Sequence, residues 1–74
     1  MSDATMVLRR FSDNHKWLNE NFEKLQEYVG RYVAIDNGAV IGIGKTREEL
    51  ERRFSDRPGV YIELISPAKL VWLL

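Results

Sequence analysis

Seventy-four residues, with eleven Lys and Arg against eleven Asp and Glu, one His and no Cys, make a small and charge-balanced chain. The balance supplies no global field for nucleic acid or an anionic membrane, and the missing Cys excludes a disulfide framework, a Cys-based metal site and a thiol nucleophile. With 45% hydrophobic and 30% charged residues the chain reads as one globular domain, of a size that buries only roughly 60–65% of its unfolded surface.

The opening MSDATMVLRRF lacks the long apolar run of a signal peptide, and no segment approaches the roughly 20 apolar residues of a membrane span, so the expected setting is cytoplasmic. Leu8, Phe11, Leu18, Phe22, Leu25 and Val29, with His15 filling the gap, recur at alternating spacings of three and four and draw one stripe down a helix. Ser12-Asp13-Asn14 favours an N-cap, which predicts a helix from Ser12 or Asp13 to Val29, stopped by Gly30. Thr5–Phe11 is then a looser or separately helical segment.

Arg31–Asp36 and Ala39–Gly44 are two β-rich runs joined by Asn37-Gly38, the pair that a type I′ hairpin turn demands. A two-residue loop sets Ile35 opposite Val40, Ala34 opposite Ile41, Val33 opposite Gly42 and Tyr32 opposite Ile43. Thr46 and Glu49 form a capping box for a second helix carrying Leu50 and Phe54 on its inner side, which Asp56-Arg57-Pro58-Gly59 ends. Val60–Ile65 is a third strand, stopped by Ser66-Pro67. The expected fold is a small α+β domain of order α-β-β-α-β: a three-stranded mixed sheet in the order 2-1-3, with a right-handed crossover between strands two and three and two helices on one face. Residues 1–11 are expected to be loosely attached, 12–67 to form the core, and 68–74 to be an apolar tail.

Gly42-Ile43-Gly44-Lys45-Thr46 invites a phosphate-loop reading, but that loop requires Gly where Ala39 stands, and no acidic strand supplies Mg²⁺. His15, the single histidine, has no converging partners for a metal or a catalytic role, and no nucleophile–base pattern emerges. The expectation is therefore no enzyme, no cofactor, no metal and no small-molecule substrate. Lys45, Arg47, Arg52, Arg53 and Arg57 could form a basic patch for nucleic acid, but Glu48, Glu49, Glu51 and Asp56 interleave and dilute it.

The apolar surplus carries more. Strands one and three are apolar on both sides, whereas a sheet with helices on one face should alternate. Tyr32, Ile41 and Ile43, together with Leu70, Trp72, Leu73 and Leu74 of the tail, are thus the candidate partner interface. The leading expectation is a non-enzymatic interaction module that self-associates or docks on a larger protein; the alternative is a small antitoxin-like nucleic-acid-binding regulator using the five basic residues.

Trp17-Leu18-x-x-Asn21-Phe22-x-x-Leu25, then Tyr28-x-Gly30-Arg31-Tyr32-Val33-Ala34-Ile35, the turn Asp36-Asn37-Gly38, Glu48-Glu49-Leu50 and a closing Val60–Pro67 resemble a group of short prokaryotic proteins catalogued only as a domain of unknown function. The resemblance covers Trp17 to Pro67. It implies the fold and a cytoplasmic prokaryotic setting, and brings no activity and no site residues.

Overall fold

A computed structural model describes residues 2–67. Helix α1 spans Ser2–Glu20 and is followed by a 3₁₀ helix at Lys24–Tyr28, strand β1 at Tyr32–Asp36, strand β2 at Ala39–Gly44, helix α2 at Arg47–Arg53 and strand β3 at Tyr61–Leu64. The order α-β-β-α-β is the expected one, and Thr46 caps α2 by accepting from the Glu49 amide at 3.1 Å.

The first helix differs from expectation at both ends. It runs unbroken through Ser12-Asp13-Asn14, because Asn14 turns inward and finds distant partners in place of capping the local backbone. It stops early, at Glu20, beside a Trp17 carbonyl that accepts both the Asn21 amide at 3.0 Å and the Asn21 side chain at 2.9 Å. Leu25 of the 3₁₀ helix is still buried and Phe22 in the turn before it is half-buried, but Val29 just after it is exposed.

Asn37 and Gly38 adopt φ of 53° and 67°, the paired left-handed conformations of a type I′ turn. The strand order β2-β1-β3 matches the expectation, but both pairings are antiparallel. β2 and β3 do run in the same direction, but β1 lies between them, so no strands among the described residues are parallel neighbours and the sheet is not mixed. The expected hairpin register also fails beyond Val40. Ala34 pairs with Gly42, Val33 with Ile43 and Tyr32 with Gly44, and Ile41 is the extra residue of a bulge.

That one-residue shift decides the architecture, since it moves every later side chain of β2 to the opposite face. Val33 and Ile35 join Leu18, Leu25 and Ile65 in a buried cluster, with Trp17, Phe22, Tyr28, Val40 and Tyr61 packed around it. On the other face, Gly42 and Gly44 look directly at Leu50 and Phe54 of the α2 segment, and Ala34 and Leu50 are fully buried. The helices therefore cover opposite faces of the sheet, not one. The two-sided apolar pattern of the strands follows from this sandwich. Among the described residues, no helix is long and apolar enough to cross a membrane.

A Cβ at Gly42 would lie 2.6 Å from the Phe54 ring. Gly42→Ala should therefore destabilise the fold by about 1–2 kcal/mol through overpacking. The same substitution in a Phe54→Leu background should cost less, and urea unfolding of the four-variant cycle measures the difference.

Candidate interaction site

The most unusual side chain of the domain is Asp36, a carboxylate only 1% exposed at the end of the central strand. Buried ionised groups occur at catalytic sites, so its partners decide its role. Arg10 of α1 donates to Oδ2 at 2.5 Å, Arg57 of the α2–β3 connection donates to the same oxygen at 2.9 Å, and Asn14 donates to Oδ1 at 2.9 Å. Asn14 also donates to the Gly59 carbonyl at 2.9 Å. Burial opposes the charged form, but the hydrogen bonds from Asn14 and Arg57 and the charge of Arg10 outweigh it and hold the carboxyl below its ordinary value of 3.8. Each of its oxygens is occupied from within the chain. Asp36 is a clasp joining three elements.

The Gly44-Lys45-Thr46 segment is occupied in the same way. The Lys45 amide donates to Glu49 Oε1 at 3.2 Å and the Glu49 amide to Thr46 Oγ1, so the chain's own carboxylate sits where an anion would bind. Of the five basic residues, Arg53 pairs with Glu49 at 3.1 Å, Arg57 with Asp36, and Arg47 donates to the Ile62 carbonyl at 3.0 Å while lying over the Tyr32 ring. Lys45 and Arg52 are exposed, and no ion pair involves them among the described residues. His15 stacks on Tyr61 with ring centroids 4.8 Å apart, and Asn19 lies 3.4 Å from its Nε2.

The described members of the predicted interface do not share one face of the sheet. Tyr32 is half-buried under Arg47 on the α2 side, Ile43 is half-buried on the α1 side, and Ile41 is the bulge residue between. Leu70, Trp72, Leu73 and Leu74 lie outside the described residues. What sequence reasoning missed is a groove of about 450 Å³ lined by Phe11, Arg47, Glu51, Phe54, Arg57 and the segment from Pro58 to Ile62. Phe11 and Tyr61 meet edge to face at 5.0 Å on the α1 side, whereas Phe54 and Ile62 belong to the α2 side. Residues from both faces line one groove around a strand edge, and among the described residues β3 is such an edge. Arg47, Glu51 and Phe54 recur at helical spacing, which is the one sequence signal that grouped them. Tyr61 donates to Glu63 within β3, and burial together with that bond and the charge of Glu63 pushes its phenol up to about 12.

Asp36→Asn should lower stability at pH 7 by about 2 kcal/mol, less than the loss of a fully buried pair because Arg10 and Arg57 are nearly half exposed. The native carboxyl titrates below 3.8, so the unfolded chain binds the proton first on acidification. The clasp's contribution is complete above that value and is lost as pH falls through the lower, folded one. Urea unfolding at pH 7 and near pH 3 should show the wild type and the variant converging in acid.

No curated protein and no solved structure matches this chain. A family model does match, over residues 23–68, from the 3₁₀ helix through β3 and leaving α1 outside. With more than half of its length so matched, the chain belongs to the family of unknown function DUF5678.

Proposed function

We propose that this protein is a non-enzymatic interaction module that self-associates or docks on a larger protein. The observation that carries the reading is the set of exposed apolar side chains on α1: Leu8, 69% exposed, and Phe11, 45% exposed beside Tyr61 of β3, lie three residues apart on one side of the helix, and Met6 is 60% exposed elsewhere on it. Three large apolar side chains within six residues of one helix, on a domain whose sheet is already covered on both faces, are what an interface leaves uncovered in an isolated chain. The sheet face first assigned this role has α2 against it, so the surface shifts to α1 and the neighbouring β3 edge. The apolar segment Leu70–Leu74 is the second proposed contributor. The absence of a converging set of free titratable groups among the described residues favours a binding role over catalysis. The nucleic-acid reading has less support, because Glu48, Glu49, Glu51 and Asp56 interleave with the basic residues and Arg53 is paired with Glu49.

Light scattering across a concentration series tests the proposal. A dimer or larger assembly is expected. The double change Leu8→Ser and Phe11→Ser should weaken it by at least about tenfold while leaving the fold intact, since both side chains are exposed. Deleting residues 69–74 should weaken it independently. Assembly unchanged in both variants removes α1 and the apolar segment as the interface. A chain that is monomeric throughout removes self-association and leaves docking on a larger protein.

A further inference from the structure

Two guanidinium groups stand at the groove beside β3, and each is held in place by a single bond to the chain. Arg47 is anchored on the Ile62 carbonyl and Arg57 on Asp36 Oδ2. A guanidinium has five N–H donors in a fixed fork, and the Arg47 and Arg57 side chains are exposed, so each retains donors for a second acceptor. Cations fixed in orientation beforehand are suited to charge-assisted bonds with a carboxylate. Around them lie the rings of Phe11, Phe54 and Tyr61, with Glu51 as the one acidic lining residue. The groove thus sets aromatic rings beside a polar mouth, where Arg47 and Arg57 face the single carboxylate of Glu51.

We infer that this groove takes an extended peptide of a partner protein, one presenting a carboxylate side chain next to an aliphatic or aromatic one. The inference rests on the interaction-module reading and names the partner's chemistry. The carboxylate bonds to Arg47 and Arg57, and the apolar side chain enters among Phe11, Phe54 and Tyr61. A second copy's β3 is a poor occupant, because a two-fold pairing of β3 edges would bring both copies' Arg47 guanidinia, each anchored at Ile62, to the shared edge. A nucleic-acid strand is also disfavoured. Glu51 lines the groove, Glu63 lies on the same strand edge, and Arg53 is paired away with Glu49, so the field is too local for a phosphate backbone.

The test is an NMR titration of the ¹⁵N-labelled full chain with three probes. These are a blocked hexapeptide alternating Asp or Glu with Ile and Phe, the same peptide with Lys at every acidic position, and a short oligothymidylate. The acidic peptide should shift the amides of Phe11 and of the Gly59–Ile62 segment in a saturable way. The lysine peptide should not. Arg47→Gln removes the charge while keeping a polar side chain on α2, and should weaken the acidic peptide by about tenfold, the loss of one charged hydrogen bond. Phe11→Ala, at an exposed position that leaves the clasp untouched, should weaken it comparably. Equal response to the lysine peptide, shifts confined to other surfaces, no response at millimolar peptide, or tighter groove binding by the oligothymidylate would each overturn the assignment. A chain that assembles through α1 while these groove amides stay unmoved would overturn the groove alone and leave the interaction module standing.

Discussion

The rest of this structure depends on one buried carboxylate. Asp36 closes the central strand immediately before the hairpin turn, at a position only 1% exposed, where an unpaired charge would be prohibitive. Its ionisation is tolerated because α1 contributes Arg10 and Asn14 and the connection before β3 contributes Arg57. Those donors lie 26, 22 and 21 residues away in sequence, so the carboxylate is stabilised only once the helix, the sheet and the connection are assembled together. The clasp therefore fixes where α1 crosses the sheet. Gly59 completes the crossing: at φ of +96° it lets α1 approach so closely that a Cβ there would lie 2.9 Å from that of Arg10.

The reach of the clasp explains which parts of the fold were legible in the sequence. Asn37-Gly38 and Thr46-x-x-Glu49 are local instructions, satisfied within four residues, and both elements form where those residues stand. Ser12-Asp13-Asn14 carries the same local vocabulary, and there it misleads. Asn14 spends its amide on Asp36 and Gly59, contacts that no window of neighbouring residues contains. Val29 misleads for another reason. A 3₁₀ helix repeats every three residues, so the stripe through Phe22 and Leu25 continues to look α-helical after α1 has ended at Glu20.

The bulge at Ile41 was the costlier gap. Alternation along Ala39–Gly44 reads the same with or without an extra residue, but the face presented by Gly42 reverses. A signal did exist: Gly42 and Gly44, two apart in one strand, leave a strip without side chains, and a helix carrying Leu50 and Phe54 follows directly. Such a strip lets a helix lie close on the sheet. Taken that way, the apolar residues on both sides of β1 require two covering helices on opposite faces, and the surplus that pointed to a missing partner is largely consumed within the chain.

What remains uncovered is correspondingly specific. With α1 on one face and α2 on the other, an incoming chain can reach the sheet only at its edges. β2 carries the bulge there, which bends the strand away from regular pairing. At β3 the guanidinium of Arg47, which belongs to α2, occupies the outward carbonyl of Ile62 and sets a positive charge on the edge. A charge at a strand edge discourages indiscriminate strand addition, yet the same guanidinium is the group an acidic peptide would seek. The β3 edge is therefore closed to most strands by the residue that makes it selective for one kind. The groove beside it is made by both sides of the fold: Phe11 comes from α1, outside the family-matched residues, and the remaining lining residues come from within them. A chain lacking α1 would keep Arg47, Phe54 and Arg57 but lose one wall of the groove, so any selectivity located there belongs to the module and its added helix together.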